Sequence, residues 1–359
     1  MQKVSVKNLT EGMTTYTRLC TADGRVLLGS SIRLSSSYIK KIQNFGVLNL
    51  FVTNPIIERI GLVYEETLPE DKRTEAISIL KTSFDNAKEG KLIDVHSIYI
   101  MAKTIIETVR SNQLIRLDTT VTPDDYVYSH CINVAALAAV IASDMEYSSA
   151  KMHELVMGAL LHDIGKVLDN GSASDEDHPR KGFEYARKLR DYSIVASHVI
   201  FQHHEKIDGT GYPRGLSGDQ IHEYARITAV ADAYDTIVSD FQKGPALLPH
   251  QAYEAIMSMS GTYLDKEIAD IFLAKAPLYP LGTFVVLDSG FIGVVTEARP
   301  KLQARPTVTL ITDAQGIFQD EWIEIELTKN LTSFINYVMS EKEVIDLTKL
   351  YENRSSHRK

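Results

Sequence analysis

Only two cysteines, Cys20 and Cys131, occur in 359 residues, and they form no Cys-x-x-Cys pair. That scarcity excludes a disulfide framework and a thiolate zinc site. Cys131, beside His130 in an apolar helical stretch, reads as a packing residue. Positive charge is also short. There are 38 Lys and Arg against 47 Asp and Glu, for a net charge of −9, which argues against a chain that coats nucleic acid. A small phosphate ligand stays compatible, because a local metal site outweighs the global field. No apolar run is expected to reach the ~18 residues of a membrane span. Met1–Met13 lacks the apolar core of a signal peptide. No membrane association is therefore expected, and a reducing cytoplasm is the expected location. There is no internal repeat.

The composition that remains, 44% hydrophobic and 24% charged, is that of a globular protein of two or three domains. Four segments are expected. Residues 1–68 form a small α+β unit, with strands at Val4–Val6, Thr14–Leu19, Arg25–Leu28 and Val47–Val52. Asp23-Gly24 supplies a turn, and a serine-capped helix runs from Ser35 to Phe45. Residues 69–118 are a helical connector, with helical spacing over Glu75–Ala87 and Val95–Arg110, and offer a surface for a homodimer. Residues 119–280 are a helical bundle: Asp124–Ser143, Met152–Leu161, Phe183–Leu189, Ile194–Ile200, Ala225–Val238, His250–Ser260 and Lys266–Ala276. Residues 281–359 form a small β-rich unit, with strands at Thr283–Asp288, Ile292–Glu297, Thr307–Thr312 and Trp322–Leu327, and a tail that frays from Tyr351. The fold class is mainly α.

The bundle carries the chemistry. Its centre is His203-His204-Glu205-Lys206-Ile207-Asp208-Gly209-Thr210-Gly211-Tyr212-Pro213. Neighbouring helical side chains diverge by about 100°, so two adjacent histidines rarely serve one packed face. The bland reading is a capped helix and a tight turn. Against it stand His130, His162, Asp163, His178 and Asp232 on or beside other helices. Five imidazoles and two carboxylates are too many for one tetrahedral zinc. They suit two metals with N/O coordination sharing a carboxylate, and Asp163 is the natural bridge. His96, His153, His198, His222, His250 and His357 belong to no motif and read as surface, cap or core.

These motifs resemble a known family. Leu161-His162-Asp163-Ile164-Gly165-Lys166 is similar to the HD motif of metal-dependent phosphohydrolases. The His203–Pro213 stretch resembles the signature of the HD-GYP subfamily. Asp124-x-Tyr126-x-x-x-His130, His178-Pro-x-x-Gly182 and Arg226-Ile-x-Ala-Val-Ala-Asp232-x-x-Asp235 match its other blocks in order, over residues 120–275. The resemblance implies an HD-type helical catalytic domain that opens cyclic di-GMP with two divalent ions, iron or manganese. One ion would be held by His130, His162, Asp163 and Asp232, the other by Asp163, His178, His203 and His204. Some members hold a third metal with a Glu where this chain has Tyr126, so two ions are expected. Asp163 and Lys166 would be catalytic, and Lys166, Tyr212 and Asp235 would contact substrate or support the site. For Lys166 a surface lysine capping a helix end is the rival reading.

Two departures qualify the resemblance. The segment between Asp163 and His178 is short and acidic across Asp169–Asp177, and an acidic rim does not attract an anionic dinucleotide. The family's Ser-Asp-Arg-Pro-Tyr-Arg is here Ser239-Asp240-Phe241-Gln242-Lys243-Gly244, so Phe241 and Gly244 replace two phosphate-gripping arginines. Three functions follow in order: a cyclic di-GMP phosphodiesterase, a phosphohydrolase of another nucleotide, cyclic or not, and a non-catalytic metal-loaded nucleotide sensor or interaction module.

Overall fold

The computed structural model describes residues 1–21, 25–62, 67–109, 125–171, 176–239, 246–299 and 302–356. Asp23-Gly24, Asp124, His357, residues 172–175 of the acidic segment, and Phe241, Lys243 and Gly244 lie outside them.

At the N-terminus, β1 (Gln2–Ser5) is followed by β2 (Leu19–Cys20), β3 (Val26–Leu28), α1 (Ser36–Asn44), β4 (Asn49–Val52) and α2 (Pro55–Ile60). β1 pairs antiparallel with β4, and β2 with β3. Ser35 caps α1 through its side chain, and Gly46 at φ 70° ends the turn that follows. The expected strand Thr14–Leu19 is corrected. Thr14 and Thr15 make isolated bridges to Arg33 and Val52, and pairing proper starts at Leu19. Helix α2 was not foreseen. Its signal is local: the Asn54 side chain accepts from Ile56 and Ile57, with Pro55 at the first helical position.

The helical body comprises α3 (Glu70–Lys88), α4 (Val95–Val109), α5 (Tyr126–Asp144), α6 (Ser149–Leu160), α7 (His178–Ala186), α8 (Ile194–Gln202), α9 (Glu223–Val238), α10 (Pro249–Met259) and α11 (Lys266–Lys275). One hydrophobic core runs through all of it, from Leu80 and Phe84 on α3 to Phe272 on α11. The axis of this body is α5, in which every residue from Tyr128 to Ala142 is buried. Its alanines let α6 and α9 approach closely. The expectation that no stretch is long and apolar enough for a membrane is corrected. Among the described residues α5 is, with a mean hydropathy of 1.4 over its best window, yet 83% of that window is buried inside the protein.

The C-terminal sheet has five antiparallel strands: β5 (Phe284–Leu287), β6 (Ile292–Glu297), β7 (Thr307–Thr312), β8 (Phe318–Glu326) and β9 (Ile335–Val338), in spatial order β8-β7-β6-β5-β9. Strand β9 was not foreseen, nor was α12 (Glu341–Ser356). The tail expected to fray from Tyr351 is instead helical to Ser356. Arg354 donates to the Phe318 carbonyl and, at 2.7 Å, to Asp320. Helix α12 clasps the two ends of the chain. Ile345 enters the N-terminal core, and Val344 and Leu347 pack with Ile56, Ile57 and Phe284. The Glu341 carboxylate accepts from Ser5 N at 2.9 Å.

Candidate metal centre

Each donor is placed by the end or the buried face of a helix. His130 lies on the central helix α5. Asp232 and Asp235, one turn apart on α9, both face it: Asp232 Oδ1 is 3.0 Å from His130 Nε2, and Asp235 Oδ2 is 2.7 Å from His130 Nδ1. Helix α6 stops at Leu160, and the tight turns that follow present His162 and Asp163 inward. His178 is the first residue of α7, and His203 is the C-cap of α8. Because the helix ends there, the His203 and His204 rings stay 4.1 Å apart rather than diverging. A carbonyl oxygen only accepts, so His162 Nδ1 donates to Ala159 at 2.7 Å and His203 Nδ1 to Ile200 at 2.9 Å. Their Nε2 lone pairs are thereby turned into the centre.

The carboxylate of Asp163 sits in the middle. Its Oδ2 is 3.5 Å from His162 Nε2 and 3.8 Å from His130 Nε2. Its Oδ1 is 3.2 Å from His178 Nε2 and 3.8 Å from His203 Nε2. Donor atoms of Asp163, His178, His203 and His204 lie within 4.8 Å of one another, and so do those of His130, His162 and Asp232. The structure therefore gathers all seven residues singled out from the sequence. Among the described residues His162 Nε2 is buried with no hydrogen-bond partner, a state that costs about 1–3 kcal/mol. A borderline divalent cation satisfies such a nitrogen, and the imidazole and carboxylate donors fit it.

Burial keeps His162, His203 and His204 neutral. It lowers the proton affinity of each ring, that of His204 to a pKa of about 4. For His130 burial pulls the same way, but hydrogen bonds to Asp232 and Asp235 outweigh it and raise the pKa to about 10. Burial opposes charge on Asp163 too, yet the Lys166 ammonium and the hydrogen bond from His178 hold the carboxyl well below its usual range. The centre opens on one side. His130, His162, Asp163, His178 and His203 are buried, whereas the side chains of Asp232, His204 and Lys166 are 14%, 25% and 28% exposed.

The remaining expected site residues divide. Lys166 does not cap a helix end; its Nζ reaches Asp163 Oδ2 at 2.6 Å. The Tyr212 ring lies 4.8 Å from that of His204, and its backbone N–H donates to the His204 carbonyl. Asp235, read from the sequence as contacting substrate or supporting the site, lies among the supports. It is buried behind His130, and its second oxygen accepts from Asn133 Nδ2 at 2.8 Å. Tyr126 lays its ring along His130, centroids 5.6 Å apart.

Three supporting residues were missed. Asn133, one turn beyond His130, carried the signal of its spacing. Glu205 is buried and accepts from Arg214 N and Leu216 N, both at 2.8 Å, which fixes the loop around Tyr212. Gly165 lies so close to α7 that a Cβ there would stand 1.9 Å from the His178 carbonyl oxygen. The last two stand inside the quoted motifs, where spacing alone assigns them no role.

Residues 127–237 match the model of the HD domain family. That stretch, from α5 to α9 of the helical body, is an HD domain. Residues 284–347 match a KOW domain associated with HD domains, which accounts for the sheet that follows. A cyclic di-GMP phosphodiesterase of Pseudomonas aeruginosa is 33% identical over 262 residues, 68% of this chain and 62% of the relative. A cyclic di-GMP phosphodiesterase of Thermotoga maritima is 27% identical over 256 residues, 67% of this chain and 65% of the relative. A 3'3'-cGAMP-specific phosphodiesterase of Vibrio cholerae is 36% identical over 128 residues, 32% of this chain and 28% of the relative. The chain thus spans less than two thirds of the length of each of these three. The match to the HD domain runs from one residue after Tyr126 to two residues after Asp235, and so contains all seven gathered donors.

Proposed function

We propose that this protein is a metal-dependent phosphodiesterase that opens a cyclic dinucleotide, with cyclic di-GMP as the first candidate and pGpG or GMP as product. The observation that carries the reading is the carboxylate of Asp163, whose two oxygens face two different sets of imidazoles. The relatives named as cyclic di-GMP phosphodiesterases support the substrate class. His130, His162, Asp163 and Asp232 would hold one divalent cation, and Asp163, His178, His203 and His204 a second; the mixed donors allow iron or manganese, and the family resemblance favours these. When bound, such a pair supplies a hydroxide at neutral pH and positive charge for the phosphate oxygens.

The chain's own residues do the rest. Asp235 holds the proton on His130 Nδ1, so that Nε2 points into the centre. Lys166, at the open side, offers its ammonium to a non-bridging phosphate oxygen. Tyr212, beside His204 in a loop fixed by Glu205, presents a ring face on which a base can stack. The buried imidazoles exclude bulk water from the inner face of the centre.

A second reading is favoured by Phe241 and Gly244, which stand where arginines would grip phosphate, and by the 3'3'-cGAMP-specific relative. In it the substrate is another cyclic dinucleotide. The test is anaerobic purification with elemental analysis, then turnover of cyclic di-GMP, 3'3'-cGAMP and bis(p-nitrophenyl) phosphate. Two ions per chain and metal-dependent cleavage of a cyclic dinucleotide are expected. Loaded protein that cleaves none of them would overturn both readings.

A further inference from the structure

From α3 a chain of hydrogen bonds leads into the centre. Arg73 is buried, and its Nη1 lies 2.6 Å from Asn133 Oδ1 on α5. Asn133 Nδ2 donates to Asp235 Oδ1 at 2.8 Å. Asp235 Oδ2 then faces His130 Nδ1 at 2.7 Å. We infer that Arg73 is a positioning residue for the metal centre, acting through Asn133 and Asp235 on the orientation of His130.

The chemistry of each link has one direction. A guanidinium has donors and no acceptor, so the Asn133 atom it touches is the carbonyl oxygen. That choice fixes the amide, whose NH2 is turned onto Asp235. An ionised carboxylate accepts only, so the proton between Asp235 and His130 belongs to Nδ1, and Nε2 is directed at Asp232 and Asp163. Without Arg73 the Asn133 oxygen loses its buried donor, and the amide is held by its bond to Asp235 alone. The side chain is then less firmly fixed, and the hold of Asp235 on His130 loosens with it. Glu70, one turn before Arg73, bonds Arg18 of the N-terminal unit at 2.8 Å. The helix that carries Arg73 is thus anchored outside the HD domain.

The inference deepens the metal-site reading and rests on it for its metal-binding consequence alone; the hydrogen bonds can be tested in metal-free protein. The variants are Arg73→Met, Arg73→Lys and Asn133→Ala, each checked for retained helical circular dichroism. In metal-free protein, NMR of 15N-labelled histidine should show a downfield, slowly exchanging Nδ1 proton for His130. Arg73→Met and Asn133→Ala should move it upfield or broaden it, and Arg73→Lys should partly restore it. In loaded protein, chelator competition should show one ion held about 10–100-fold more weakly, the range for loss of a hydrogen bond behind a ligand, with the other unchanged. Arg73→Met combined with Asn133→Ala should be no worse than either alone, because the links are in series. An unmoved His130 proton, equal weakening of both ions, or additive effects would overturn the assignment. Native protein that binds no metal would instead overturn the proposed function and leave the proton test standing. Should Arg73→Met fail to fold, Asn133→Ala, which removes only an amide, decides.

Discussion

Asp163 is the residue on which both halves of the centre depend, since one oxygen faces His130 and His162 and the other faces His178 and His203. Asp163→Ala should empty both positions and drop cleavage of bis(p-nitrophenyl) phosphate to background, with helical content kept. Elemental analysis that still found two ions per chain would refute the bridge. The histidines make a separate prediction for metal-free protein. His204 has a pKa of about 4 when folded against an ordinary 6.5. Between those values the unfolded chain binds more protons, so stability is full above about 6.5 and falls as the pH drops toward 4. For His204 alone the loss is on the order of 3 kcal/mol, and His162 and His203 act in the same direction. Urea midpoints should therefore fall between pH 7 and pH 4.5, and a flat profile would contradict the burial of these rings. The gathered donors were legible as a set because histidines and carboxylates at such spacing have one economical use in a buried cluster. The role of Asp235 was not, because sequence spacing does not say which side of an imidazole a carboxylate takes.

Among the elements, α7 is held against the turn after Asp163 by two glycines. A Cβ at Gly165 would meet the His178 carbonyl, and one at Gly182 would come within 2.7 Å of Ile200. The neighbour at Gly165 is backbone and cannot rotate away. Gly165→Ala should thus push α7 outward and carry His178 from Asp163. The expected result is selective weakening of the ion held by His178, His203 and His204, read by chelator titration, with Tm lowered by several degrees. An unchanged titration would show that α7 does not set the position of His178. The long helices were read correctly from their apolar period, because a face such as that of α4 repeats over several turns. Short or sparsely apolar elements were not. Helix α2 has six residues. In α12 the buried Val344, Ile345 and Leu347 stand in a largely polar stretch. Their partners lie at the far end of the chain, where no local pattern can show them.

For the whole molecule, α12 is the piece that joins the chain's ends. Ending the chain after Ser340 would remove Ile345 from the N-terminal core and Val344 and Leu347 from the contact with α2. Each buried side chain of this kind contributes roughly 1.5–3 kcal/mol. Limited proteolysis should then cut within β1 to α2 while leaving α5 to α9 intact. Equal resistance in both regions would mean that α12 only decorates the surface.

The same clasp sets an order of events during synthesis. Glu341 follows its partner Ser5 by 336 positions, so the first strands leave the ribosome long before the helix that closes over them. The core of the helical body is built from residues between Leu68 and Ala276 and can condense while the sheet is still being made. A nascent chain arrested at Ser340 is expected to hold a protease-resistant bundle and a protease-sensitive β1–β4 pair. The pair of β1 and β4, made before the helices, would then finish folding after them.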